Sequence, residues 1–319
     1  MKYRNLGRTG LRCSEIGLGT WAFASQIYGA VTETEAIAAI RAALDAGINF
    51  FDTAPLYGTP QRDGVAEEIL GNGLGRERDK VIISTKFGRN SSEGNTPNFH
   101  GERARKSVEA SLRRLQTDRL DVLFFHSPFG ANEIHDDVWE ALEKLKHAGK
   151  IRFVGHSISL FQNTQGLARQ WANERKIDVI QVVYSLLNRE ATALIHDLGK
   201  ENLGMVARES LANGFLSGTI TKDTQFASDH LNARYSRAEI AERVEQVQRL
   251  AFLVRDDLQS VPQAAMRWVL DNPHVSLVLS GAKNQKEILE CAVAAEATPY
   301  APDELQRAEA VHQKDFQAA

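Results

Sequence analysis

Short apolar runs alternate with helix-period segments along nearly the whole chain, and this alternation constrains the fold more than any single motif does. The runs with strand character cover residues 16–19, 49–52, 81–85, 122–125, 152–155, 179–183, 204–207 and 275–278. Segments such as Ala36-Ile37, Ile40 and Leu44, or Val108, Ser111, Leu112 and Leu115, carry the 3.6-residue spacing of a helix that buries one face. Trp139, Leu142 and Leu145 read the same way, as do Ala264, Ala265, Trp268 and Val269. Thr32 or Thr34 can cap the first helix, and Pro262 suits the first turn of the helix leading to Trp268. Strand followed by helix, eight times over, predicts a parallel sheet; continuous apolar strands predict one buried on both faces.

A closed barrel satisfies both conditions. The competing architecture, a doubly wound open sheet, normally carries a glycine-rich phosphate loop after its first strand. Here that strand runs into Gly19-Thr20-Trp21-Ala22-Phe23, and neither a G-x-G-x-x-G nor a G-x-x-x-x-G-K-[ST] pattern occurs. A length of 319 residues would allow two domains, but a (β/α)8 barrel uses about 250 residues as one. The expectation is one α/β domain over 1–319: a (β/α)8 TIM barrel with an N-terminal β-hairpin turning near residues 5–11 and an extra C-terminal helix near 302–317. The longest irregular stretch, 214–235, follows the seventh strand, where long loops are usually functional.

Composition narrows the function. With 38 Lys and Arg against 41 Asp and Glu, the net charge of −3 offers no basic field for nucleic acid. Cys13 and Cys291 are too few for a disulfide framework or a four-cysteine metal site. Residues 1–11 lack the charged-then-apolar pattern of a signal peptide, and no apolar run reaches the roughly 18 residues of a membrane span. A cytoplasmic protein without membrane or nucleic-acid partners is expected.

In barrels of this kind the chemistry sits at the carboxyl ends of the strands. The second strand ends at Asp52, with Tyr57 on the following loop; the third ends at Lys86 and the fourth at His126. Each alone has an ordinary reading: a turn-capping carboxylate, a packing tyrosine, a satisfied core histidine. Together they would bring an acid, a phenol, an ammonium and an imidazole from three successive strands to one mouth.

These residues carry a resemblance. Asp52-Thr53-Ala54-x-x-Tyr57-Gly58, Lys86, His126-Ser127-Pro128 and the context Ser111-Leu112-x-x-Leu115-x-x-Asp118-x-Leu120-Asp121 resemble the aldo-keto reductase family. The similarity extends from Leu6-Gly7-Arg8-Thr9-Gly10-Leu11 to Gly281. It implies a (β/α)8 barrel that binds a nicotinamide cofactor without a Rossmann motif and reduces aldehydes and ketones with an Asp/Tyr/Lys/His tetrad.

Hydride delivery to a carbonyl creates an alkoxide, which needs a proton donor. Tyr57 would be that donor, with Lys86 lowering its pKa from about 10, Asp52 holding the lysine, and His126 orienting the substrate oxygen or assisting the transfer. The resemblance also implies cofactor contacts. Gly19, Thr20 and Trp21 would line the mouth, and Ser157 and Gln181 would bond the nicotinamide carboxamide. Arg208, Glu209, Ser210, Leu211 and Gly214 would form the pyrophosphate loop, with Arg208 stacking where many members place an aromatic ring. Ser280, Gly281, Lys283, Glu287 and Glu290 would embrace the adenosine phosphate.

Lys283 beside Ser280 argues for a 2′-phosphate, hence NADPH with NADH less favoured. Two departures stand out: Ile158 replaces an asparagine after Ser157, and Cys291 replaces one after Glu290. Trp21, Phe23, Tyr28, Phe129, Phe215 and Tyr235 are expected around a pocket for the carbonyl substrate. Two other classes fit less well. One is a cofactor-sensing module without turnover, like the potassium-channel β subunits of this family. The other is a metal-dependent hydrolase using Asp52, His126 and His156, which lacks an H-x-H or H-E-x-x-H motif.

Overall fold

A computed structural model describes residues 1–24 and 29–316. Strands β1 (Tyr3–Asn5) and β2 (Arg12–Ser14) pair antiparallel as the expected hairpin. The barrel strands follow: β3 (Ile16–Gly19), β4 (Phe50–Asp52), β5 (Ile82–Phe87), β6 (Leu120–His126), β7 (Ile151–Ser157), β8 (Val179–Val183), β9 (Gly204–Arg208) and β10 (Leu277–Ser280). They close in the order β10-β3-β4-β5-β6-β7-β8-β9, all parallel. The eight strands are those expected. The last starts two residues later than the pattern suggests, because the Val275 N–H closes a turn onto the Asn272 carbonyl (3.1 Å).

The helices between the strands are α1 (Glu33–Asp45), α2 (Val65–Leu74), α3 (Gly101–Arg114), α4 (Asp137–His147), α5 (Phe161–Asn173), α6 (Thr192–Lys200), α7 (Arg237–Arg249) and α8 (Val261–Leu270), and α9 (Gln285–Ala292) follows β10. Helix α10 (Pro302–Asp315) ends the described chain, and residue 317 of its expected span lies outside the described residues. Thr32, not Thr34, caps α1, in a reciprocal box with Glu35, and Pro262 lies in the first turn of α8. After β9, residues 214–235 are irregular as expected but tied down: Asn232, fully buried, donates its amide to the Asn213 carbonyl at 2.8 Å.

Strand alternation separates two apolar layers. Phe51, Ile83, Leu123, Phe125, Val154, Ile180, Met205 and Val278 pack outward against the helices. Their neighbours Phe50, Ile82, Val122, Phe124, Val179, Val206, Leu277 and Leu279 fill the barrel interior. Glycines make room where strands supply no side chain. A Cβ on Gly155 would lie 2.4 Å from the Phe124 ring, and one on Gly17 would lie 2.9 Å from Leu277 and Leu279. Leu6, Leu11 and Cys13 of the hairpin join the interior cluster and plug its amino end. Gly7, at φ +51°, approaches so near Gly204 that a Cβ would meet its backbone nitrogen at 2.2 Å.

Candidate active site at the carboxyl end of the barrel

The inward register that places Phe50 in the core places Asp52 two residues above it, and each strand repeats the step. Ile82 leads to Ser84 and Lys86, Phe124 to His126, Gly155 to Ser157, Val179 to Gln181, and Val206 to Arg208. An apolar floor therefore carries a polar crown at the end where such barrels work.

Lys86 is 1% exposed and Asp52 3%. The Lys86 ammonium donates to Asp52 Oδ2 (2.6 Å), to the Thr53 carbonyl (2.8 Å) and to the Tyr57 hydroxyl (3.1 Å). The other carboxylate oxygen, Asp52 Oδ1, accepts from Ser84 Oγ (2.7 Å) and Gln181 Nε2 (2.9 Å). Burial is the strongest single influence and pushes the lysine toward its neutral form, but Asp52 and Tyr57, through charge and hydrogen bonds together, outweigh it and hold the ammonium above its ordinary pKa.

Tyr57 arrives on the loop after β4, whose turn is closed by the Tyr57 N–H on the Ala54 carbonyl (3.0 Å). Its ring stacks near Trp21 (centroids 6.1 Å apart, 25° between planes) and meets His126 edge-on at 5.8 Å. Here the structure differs from expectation. Burial raises the phenol's pKa by more than Lys86 lowers it, so Tyr57 is held protonated. His126 is pushed well below its ordinary range by burial and by the charges of Lys86, Arg208 and Arg89, so its imidazole is neutral.

Of the expected cofactor residues, Gly19 ends β3 and Thr20 follows it at the same rim. Thr20 is buried, and its N–H donates to the Asp52 carbonyl (2.9 Å). Ser157 Oγ donates to Gln181 Oε1 (2.9 Å), so these two already form one unit. Arg208 donates to the Ile158 carbonyl (2.8 Å) and Ser159 Oγ (3.0 Å), and pairs with Glu209. Ser210 Oγ donates to the Tyr184 carbonyl (3.1 Å), and Leu211 packs on the core. Glu209, Ala212, Asn213 and Gly214 all have positive φ, so the chain turns sharply as it leaves β9.

Ser280 is buried at the end of β10 beside the Cys291 thiol, whose pKa burial pushes up to about 12. Gly281 is exposed, with open space where a Cβ would stand. The Glu287 carboxylate is bonded at both oxygens within its own turn, by the Lys283 N–H (2.9 Å) and by Asn284 Nδ2 (3.0 Å). Glu290 is half-buried on α9. Lys283 also acts on His230, which burial and then that lysine's charge hold below its usual pKa, so the loops after β9 and β10 are within electrostatic reach of each other.

Other expectations are corrected. Phe23 (4% exposed) lies in the core, and Phe215 (2% exposed) lies beneath Tyr235 and Arg243. Trp21 is half-buried and Phe129 exposed, while Tyr28 lies outside the described residues. His156 faces outward, fully buried against Trp171 (5.0 Å), with its pKa lowered to about 3, and so packs among the helices rather than facing the mouth. Among the described residues no group of three or more His, Cys, Asp or Glu could hold a metal ion. The hydrolase ligand set is therefore not assembled. Ile158 is buried, its N–H on the Gln181 carbonyl (2.8 Å).

Three supports escaped the sequence reading. Ser84 was detectable, since it shares the inward face of β5 with Lys86. Arg89, 3% exposed, binds the His126 carbonyl (3.0 Å), the Ser127 carbonyl (3.0 Å) and the Asn95 carbonyl (2.7 Å), joining the loops after β5 and β6. Buried Glu67 bridges Thr85 (2.6 Å) and Arg114 (2.6 Å) behind the β5 strand end. No local pattern marks either one.

The family model described as "Aldo/keto reductase family" matches residues 15–313. Aldo-keto reductase YhdN of Bacillus subtilis (strain 168) is 34% identical over 300 residues, 90% of this chain and 87% of that protein. A probable voltage-gated potassium channel subunit beta of Oryza sativa subsp. japonica is 30% identical over 333 residues, covering 98% of this chain and 97% of its own. The holo structure of aldo-keto reductase AKR11C1 from Bacillus halodurans superposes with a TM-score of 0.79 at 27% identity, covering 98% of this chain and 96% of that one. The barrel with its hairpin, the crown of strand-end residues and the nearly full-length match converge on one conclusion: this chain belongs to the aldo/keto reductase family.

Proposed function

We propose that the chain reduces aldehydes or ketones to alcohols with NADPH, Tyr57 serving as the general acid. The observation that carries this reading is the Lys86 ammonium, which touches Asp52 on one side and the Tyr57 hydroxyl on the other. A phenol kept protonated by burial is a proton held in store. As charge develops on the substrate oxygen, the adjacent ammonium stabilises the phenolate that donation leaves behind. Neutral His126 offers the oxygen a hydrogen bond without a competing charge.

The residues at the mouth fit a nicotinamide cofactor. Buried Thr20 Oγ1 and Arg208 Nε have no hydrogen-bond partner among the described residues, and both can donate. Ser157 and Gln181 would hold the carboxamide. Arg208 would stack at the ring, the loop over Glu209, Ser210, Leu211 and Gly214 would meet the pyrophosphate, and the segment of Ser280, Gly281, Lys283, Glu287 and Glu290 would meet the adenosine end. When bound, the cofactor supplies the hydride. Lys283 supports a 2′-phosphate and so NADPH over NADH.

The test is NADPH oxidation, followed by absorbance, over a panel of aldehydes and ketones, with a chelator added in parallel. Chelator-insensitive turnover is the expected result. NADPH binding with no turnover on any carbonyl would reject the reductase reading and place the chain with cofactor-sensing modules.

A further inference from the structure

Gln181 bonds to two parts of the site at once. Its Oε1 accepts from Ser157 Oγ at 2.9 Å, and its Nε2 donates to Asp52 Oδ1 at 2.9 Å. Asp52 Oδ2 continues to Lys86 (2.6 Å), and Lys86 to Tyr57 (3.1 Å). The path Ser157–Gln181–Asp52–Lys86–Tyr57 is thus unbroken, spans strands β7, β8, β4 and β5, and ends on the loop after β4. A primary amide has two N–H groups and two acceptor sites, so these bonds leave one of each for a ligand.

We infer that Gln181 is a positioning residue for proton donation, acting through Asp52 and Lys86 on Tyr57, in addition to any contact it makes with a cofactor. The inference rests on the preceding reading only for what Tyr57 does. Asp52 is buried, and its charge is spread over one ionic partner and two neutral donors, Gln181 and Ser84. Remove the amide donor, and the carboxylate concentrates its demand on Lys86. The ammonium is drawn toward Asp52 and stabilises the phenolate less, so Tyr57 becomes harder to ionise. The titratable and charged groups facing Tyr57 are Lys86 from β5, Asp52 from β4, His126 from β6 and Arg208 from β9. Of these four, Asp52 is the one bonded to Gln181 among the described residues.

The experiment is an ultraviolet-difference titration of Tyr57 in the cofactor-free protein, using Tyr57→Phe as the blank, for wild type, Gln181→Met, Gln181→Glu and Ser157→Ala. NADPH dissociation constants are measured on the same samples. Gln181→Met is expected to raise the Tyr57 midpoint by roughly half a unit to one unit. Gln181→Glu, which puts a second carboxyl beside Asp52, is expected to raise it further. Ser157→Ala is expected to weaken NADPH binding while leaving the midpoint in place. An unmoved midpoint in folded Gln181→Met, or in Gln181→Glu should the first variant not fold, overturns the coupling. Failure of wild type to turn over any carbonyl would instead reject the function, and the titration would still report on Gln181.

Discussion

The Lys86 ammonium lies 3.1 Å from the Tyr57 hydroxyl and 4.8 Å from the centre of its ring. Removing the hydroxyl and keeping the ring separates proton donation from packing. Tyr57→Phe is expected to lower carbonyl turnover about 10²- to 10⁴-fold while NADPH affinity, read by fluorescence titration, stays near wild type. Unchanged turnover would remove Tyr57 from the role of acid.

His156 makes an acid-sensitive core. Both its ring nitrogens are buried and have no hydrogen-bond partner among the described residues, and its pKa falls to about 3. An unfolded histidine titrates near 6.5, so the folded state binds fewer protons than the unfolded one between those two values. The contribution to stability is present above about pH 6.5 and is lost progressively as the pH falls toward 3, with a limiting slope of about 1.4 kcal/mol per unit. His156→Leu should flatten this loss, most visibly in urea midpoints compared at pH 7 and pH 5. A variant that declines as steeply as wild type would place the titrating group elsewhere. His126 shifts in the same direction and would be next.

Lys283 is the cation assigned to the cofactor's far phosphate. Wild type is expected to bind NADPH more tightly than NADH, and Lys283→Ala to narrow the gap by roughly tenfold, the worth of one charge-assisted contact of about 1.5 kcal/mol. Equal affinities for the two cofactors in wild type would refute the assignment.

Gly155 exists for Phe124. A methyl group there would stand 2.4 Å from the ring and 2.8 Å from the Val179 carbonyl. Gly155→Ala should destabilise the fold by about 1–3 kcal/mol in urea unfolding. A midpoint equal to wild type would mean that the interior is looser than its contacts imply.

The sequence carries the barrel because each strand is an apolar run and each helix a period, and both survive without tertiary context. It points to Asp52, Tyr57, Lys86 and His126 because three successive strands end on ionisable groups and a phenol follows on the adjoining loop, a combination with fewer ordinary readings than any one of them has alone. What it does not carry is competition between effects. Lys86 beside Tyr57 suggests a lowered phenol pKa, yet burial wins, and burial is a property of the assembled mouth. Likewise Phe23 and Phe215 look like pocket walls until the layers around them are in place. Arg89 is invisible for a different reason: its partners are backbone carbonyls, which every residue has.

The hairpin at the amino end makes the barrel a vessel with one opening. With Leu6, Leu11 and Cys13 filling the bottom and Gly7 pressed against Gly204, nothing passes through, and every reactant must enter and leave over the same rim. Molecules that share a single doorway obstruct one another, so traffic there can limit turnover even when the chemistry below is fast.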